Sequence, residues 1–212
     1  MIFAERYDII KLKGDINMRK FTLLVLTAIL PFCVYAAPFG LKMGMTLDEI
    51  AEQCEEEPSY LEKDIYIIAP VKKHPLFEYY GVYVDEKEGL YEVRAISYPI
   101  KSNKFGEEIK KAFSNIKDRI TKTYGRPKVT DRYENSEDSH HKKDEYWFYS
   151  LREGSRKLCA TWGKNADLAD DLDMVVLDCT VSDGFYEGTG QIILYYYFKN
   201  AYSVEDEQDS VF

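Results

Sequence analysis

From Phe105 to Tyr124 the apolar residues Phe105, Ile109, Phe113, Ile116, Ile120 and Tyr124 recur at steps of three and four, the spacing that puts them on one face of a long α-helix. Gly125 stands where a left-handed C′ residue ends such a helix, and Pro127 prevents its continuation. The other face carries Lys110, Lys117 and Arg119, and the pairs Glu107–Lys111 and Asp118–Lys122 have the favourable i, i+4 order. One long helix with one apolar stripe must bury that stripe, and most of the remaining chain reads as strands. The pattern therefore predicts a helix lying on a sheet.

A second, shorter helix is marked by Thr46 and Glu49, spaced as a capping box, with Met45 and Ile50 as the hydrophobic staple across it. Leu47, Ile50, Ala51 and Cys54 share its apolar face, and it must end before Pro58. Runs rich in β-branched and aromatic residues predict strands at Asp64–Val71, Leu76–Val84, Leu90–Ile100, Lys128–Tyr133, Glu145–Leu151, Arg156–Trp162, Met174–Ser182 and Gln191–Phe198. Asp85–Gly89 predicts a hairpin loop with Gly89 left-handed, and Arg152–Ser155 a tight hairpin connection. The fold class is α+β: antiparallel sheet packed against one short and one long helix. The order of elements fits two tandem α-β-meander units, residues 38–100 and 101–199, within one domain spanning 38–199. Residues 200–212 form an acidic tail.

The chain is also marked for export. Met18-Arg19-Lys20 is a positive n-region, Phe21–Phe32 a short apolar h-region broken by Pro31, and Val34-Tyr35-Ala36 places small residues at a cleavage site before Ala37. Residues 18–37 thus read as a bacterial signal peptide, and residues 1–17 as an over-extended start ahead of Met18. The expected location is periplasmic or secreted, with no membrane span after cleavage. The whole chain carries a net charge of −9, and residues 1–37 hold more basic than acidic side chains, so the exported part is more acidic still. Such a surface repels phosphate backbones and anionic lipid, which argues against nucleic-acid and polybasic membrane binding.

Catalytic and metal chemistry find little purchase. His140 and His141 are adjacent on a polar loop flanked by lysines, without regular ligand spacing for zinc. Asp167, Asp170, Asp171 and Asp173, with Asn165 nearby, lack the spacing and glycine of a calcium loop. There is no G-x-S-x-G elbow, and Gly184–Gly190 lies between strands rather than before a helix. Neither a cofactor nor a metal is expected.

The aromatics, including 18 tyrosines, carry more information. In Gln191–Phe198, Ile192, Leu194, Tyr196 and Phe198 share one face, while Ile193, Tyr195 and Tyr197 share the other. In Glu145–Leu151, read as a strand, Trp147 and Tyr149 share a face. Either further layers cover both faces, the commoner cause of two-sided apolar strands, or one face is an aromatic contact surface lined by Trp147, Tyr149, Tyr195 and Tyr197. For the cysteines, strand alternation turns Cys159 away from the apolar face and Cys179 toward it, while Cys54 lies on the buried stripe of the first helix. An exported chain permits disulfides, and the expected bridge joins Cys54 to Cys179.

The signal peptide, GLKMGMTLDEI, KHPLFEYY, the long helix ending KTYGRPK, QIILYYYF and the terminal EQDSVF together resemble a group of small exported bacterial proteins of unknown function, across most of the mature chain. The G-M-T-x-x-E opening at Gly44–Glu49 is more distantly similar to the start of β-lactamase inhibitor protein and of a small lipoprotein of the outer-membrane β-barrel assembly machinery. That similarity implies helices against an antiparallel sheet used to bind other proteins, although those units open with two helices and this chain offers one before each meander. The expected function is an exported module that binds another envelope or secreted protein. The alternative is a small-ligand carrier, or an enzyme whose residues are scattered beyond motif reading.

Overall fold

The structure, a computed structural model, describes residues 37–134, 142–163, 167–181 and 188–204. Residues 18–36 of the expected signal peptide, the His140-His141 loop, Asn165, most of the glycine-rich segment before Gly190 and residues 205–212 of the expected tail lie outside these residues. Residues 201–204 of that tail, by contrast, form a helical turn with Ala201 and Val204 buried. Nine strands form one antiparallel sheet: β1 Ser59–Glu62, β2 Ile65–Ile68, β3 Phe77–Asp85, β4 Gly89–Ser97, β5 Ile100–Lys101, β6 Lys128–Tyr133, β7 Arg156–Gly163, β8 Leu172–Thr180 and β9 Thr189–Phe198. Their spatial order is β1-β2-β3-β4-β9-β8-β7-β6, with the short β5 paired to β9. Helices are α1 Leu47–Ala51, α2 Glu107–Tyr124 and α3 Trp147–Arg152. Each half runs from a helix into a four-stranded meander, and the last strands of the two meanders, β4 and β9, pair at the centre. Among the described residues no helix is long and apolar enough to cross a membrane.

Local chemistry explains the element ends. The capping box closes as spaced: the Thr46 N–H donates to Glu49 Oε2 at 2.8 Å and the Glu49 N–H to Thr46 Oγ1 at 3.3 Å, satisfying two of the helix's orphan donors. Before α2, Asn103 Oδ1 accepts from the Phe105 and Glu107 N–H groups. The α2 stripe buries Ile109, Phe113, Ile116 and Ile120, each contributing about 1.5–3 kcal/mol. The β3–β4 ladder continues to Asp85↔Gly89, so the hairpin loop is shorter than the sequence indicated. Asp85 Oδ1 accepts from the Lys87 and Glu88 N–H groups, and Gly89 sits at φ 68°, a conformation that costs glycine little.

The helices α1, α2 and α3 put their buried apolar side chains into one core cluster with Val93, Ala95, Leu177, Ile192, Leu194 and other residues of one sheet face. In β9, Ile192, Leu194, Tyr196 and Phe198 face this core as expected, and Ile193, Tyr195 and Tyr197 turn the other way.

The structure corrects two segments. Glu145–Leu151 is not a strand: a 3₁₀ turn at Asp144–Tyr146 leads into α3, and Arg152–Ser155 carries the chain from that helix into β7 instead of joining two strands. The buried residues Trp147, Phe148, Ser150 and Leu151 follow helical spacing. Acidic Asp144 and Glu145 precede the helix and Arg152 ends it, the order the helix dipole favours. The second correction is an addition. β1 has every residue exposed, so it carries no periodic apolar signal.

Candidate functional site

The sheet has a second face that contributes nothing to the core cluster. Alternation along the strands places Ile65 and Ile67 of β2, Tyr79, Gly81 and Tyr83 of β3, and Glu92, Arg94 and Ile96 of β4 on it. Ile193, Tyr195 and Tyr197 of β9 continue the same face. The register sets the neighbours: Arg94 is directly opposite Gly81 on one side and Tyr195 on the other, and Glu92 is opposite Tyr83 and Tyr197. Because Gly81 has no side chain, the Arg94 guanidinium can lie down between two rings, with its Cζ 4.7 Å from the Tyr83 ring centroid and 4.9 Å from that of Tyr195. Glu92 Oε1 accepts from Arg94 Nη2 at 2.7 Å and Nε at 3.0 Å. Tyr195 and Tyr197 stack with ring centroids 6.0 Å apart and planes within 4°. Beside Arg94, a depression of about 200 Å³ is bounded by Ile65, Ile67, Tyr79, Gly81 and Tyr83.

This is a preorganised cluster. The charged group is held by a carboxylate and two aromatic faces, so fixing it on contact costs little further side-chain entropy. Burial pushes the phenol pKa of Tyr83 and Tyr195 up, and that of Tyr197 up to about 12, with the Glu92 charge adding to the last. Burial and the Asp64 charge take neighbouring Tyr91 to about 12 as well. All four phenols therefore stay neutral at physiological pH, and those of Tyr83 and Tyr195 belong to the two rings that flank the guanidinium. Tyr79 remains 51% exposed at the edge of the patch.

Of the four aromatics expected on one surface, the structure brings two together. Tyr195 and Tyr197 line the open face. Trp147 is 1% exposed inside the core, and Tyr149 is 39% exposed on α3, the helix side, with the Arg152 guanidinium 5.1 Å from its ring centroid. The expected set separates because it required Glu145–Leu151 to be a strand beside β9, and β9 instead has β4 and β8 as neighbours. In the sequence Glu92 and Arg94 show only as two polar residues, two apart, that interrupt the apolar run of β4, and nothing local marks Tyr83 as their neighbour.

The thiols of Cys54, Cys159 and Cys179 are free, so the expected Cys54–Cys179 bridge is not formed. Cys54 bridges to Pro70 just beyond β2, and Cys179 sits on β8. Four strand spacings between those strands amount to roughly 19 Å, well beyond disulfide reach. Cys159 lies opposite Asp178 and so on the face away from Cys179. Burial raises the Cys179 thiol pKa and keeps it protonated.

The aspartate-rich loop is organised by protein partners: Tyr124 Oη donates to Asp170, Lys199 Nζ to Asp167, and Tyr202 Oη to Asp173. Among the described residues no three or more His, Cys, Asp or Glu side chains converge on a point where a metal ion could sit. The chain matches no protein-family profile, no curated protein and no solved structure.

Proposed function

We propose that this is an exported protein-binding module whose contact surface is the open face of the sheet, centred on Arg94 between Tyr83 and Tyr195. The observation that carries the reading is that sandwich itself. A guanidinium and tyrosines held rigid by their neighbours are the residue types that dominate binding energy at protein interfaces. The partner is a protein surface of neutral or basic character, offering apolar groups to Tyr195, Tyr197 and Ile193 and carbonyl oxygens to the phenols and Arg94. The net charge of −9 opposes nucleic acid and anionic lipid in that role.

Two experiments test this. Replacing Tyr195 and Tyr197 together by serine removes both rings from the face while leaving the core side of β9 intact. Anchors of this kind contribute ~2 kcal/mol or more each, so capture of the partner from the native envelope should fall at least on the order of 100-fold. The thermal midpoint should stay within a few degrees. Unchanged capture by the double variant would dismiss the surface. Export is tested separately, by reading the N-terminus of the protein recovered outside the cytoplasm. It should begin at Ala37 or one residue later, and a cytoplasmic protein retaining residues 21–36 would overturn it.

A further inference from the structure

On the opposite face of the sheet, α2 does not close completely onto the core. A cavity of about 190 Å³ remains between α2, the turn at Phe39 and the segment leading into β3. Its walls are apolar: Phe39, Phe77, Ile116, Ile120 and Leu194. For scale, an apolar protein cavity of about 150 Å³ holds a benzene molecule.

Its polar groups come from three distant parts of the chain. Tyr196 is 8% exposed and lines the cavity, and its hydroxyl has no hydrogen-bond partner among the described residues. A hydroxyl without a protein partner is free to hydrogen-bond a ligand that enters the cavity. His74 is fixed in place: the Tyr80 hydroxyl accepts from its backbone N–H at 2.9 Å and donates to its carbonyl at 3.1 Å. His74 Nδ1 accepts from the Leu76 N–H at 3.2 Å, which leaves the neutral ring's proton on Nε2 as a donor. Burial, then the nearby Arg119 charge, hold the His74 pKa below its usual value. Arg119, exposed on α2 at the rim, has no ion-pair partner among the described residues.

The cleft widens beyond His74 and Arg119 into a more polar groove that includes Lys122 and Asp118, and Lys117 engages the Asp118 carboxylate at 3.4 Å. On an acidic protein, this rim presents the Arg119 guanidinium and the Lys122 ammonium, neither with an ion-pair partner among the described residues, and a neutral imidazole N–H around an apolar hole.

We propose that the cleft between α2 and the His74 segment binds a small aromatic carboxylate. The ring occupies the cavity between Phe39, Phe77 and Leu194, and the carboxylate sits at the rim on Arg119 and His74 Nε2–H. The occupant's chemistry follows from the volume, which takes one six-membered ring with a short side arm, and from the donors, which suit a single planar anion. The same chemistry is offered by a free aromatic acid and by the C-terminal phenylalanine of a peptide. The site is independent of the open sheet face and does not rest on that reading.

Calorimetric titration of the full chain with 3-phenylpropionate tests the site, with its primary amide as the uncharged control. The acid should saturate with a dissociation constant on the order of 1 mM or below, and the amide should bind about 10-fold or more weakly. Arg119→Gln, a surface change that leaves the fold intact, should weaken the acid by a similar factor and leave the amide unaffected. Tyr196→Phe keeps the ring and should weaken acid and amide alike, its thermal midpoint serving as the check on folding. A short peptide ending in phenylalanine distinguishes the sources. Tighter binding than the free acid, lost on amidation, assigns a chain terminus, whereas weaker binding assigns a free acid. Equal affinity for acid and amide, no effect of Arg119→Gln, or no saturation by about 10 mM acid would overturn the proposal.

Discussion

Trp147→Ala is expected to remove about 3–5 kcal/mol of stability, the usual cost of deleting a fully buried large aromatic, from a total that for most domains is only about 5–15 kcal/mol. The indole sits against the start of α2 so closely that a Cβ built on Gly106 would lie 2.1 Å from its ring. The Lys110 ammonium lies 4.1 Å above the ring centroid, and the ring Nε1–H faces Asp131 at 3.4 Å. Losing the ring therefore opens a cavity and also removes the surface on which α2, α3 and β6 meet. At about 2–4 °C per kcal/mol for a domain of this size, the thermal midpoint should fall by roughly 10 °C. Tyr149→Ala, two residues away and on the exposed side of α3, should change stability by no more than about 0.5 kcal/mol. Were residues 145–151 a strand, the two substitutions would act on one face and behave alike, so similar midpoints for both would refute the helix.

Gly89→Ala should be the most damaging small substitution among the hairpin residues. Gly89 has φ 68°, and an added Cβ would stand 2.3 Å from the Gly44 carbonyl oxygen. That contact belongs to a backbone clasp: the Gly44 N–H donates to Leu90 O and the Leu90 N–H to Met45 O, both at 2.9 Å. Asn200 Nδ2 closes it from the other end of the chain by donating to the carbonyls of Glu88 and Leu90. An L-residue in the left-handed region costs about 1–2 kcal/mol, and forcing backbone apart adds about 1–3 kcal/mol. We expect a total loss of about 3 kcal/mol, read as a lowered denaturation midpoint in urea. Gly154→Ala separates the two contributions, since Gly154 has φ 70° but nothing within 4 Å of an added Cβ. It should show only the conformational cost, and equal losses at both positions would mean that the clasp at Gly44 yields.

The open face and the cavity use opposite sides of one strand. Tyr195 and Tyr197 point one way, and Leu194 and Tyr196 the other. Because side chains alternate strictly along a strand, substitutions at odd and even positions of β9 report on different surfaces. The paired serine variant and Tyr196→Phe should therefore be separable in their effects on partner capture and on ligand binding.

What could be read without tertiary information was whatever depends on neighbours close in the chain. Apart from Phe105, which stands before α2 and is 39% exposed, the α2 stripe, its Gly125 stop, the Thr46–Glu49 box and the β3–β4 hairpin are each governed by residues within a turn or two, so periodicity and capping chemistry revealed them. The two-sided character of β9 was equally local. Residues 144–152 were not legible, because a short aromatic run satisfies strand and helix alike; the space against Gly106, together with α2, selected the helix. The exposed edge strand β1 had no apolar pattern to detect. Both candidate sites were beyond reach for one physical reason. Tyr83, Arg94 and Tyr195 meet through cross-strand register, and His74, Arg119 and Tyr196 meet because α2 folds back over β9. Neither juxtaposition exists in the chain until the central β4–β9 pairing and the packing of α2 have brought distant segments together.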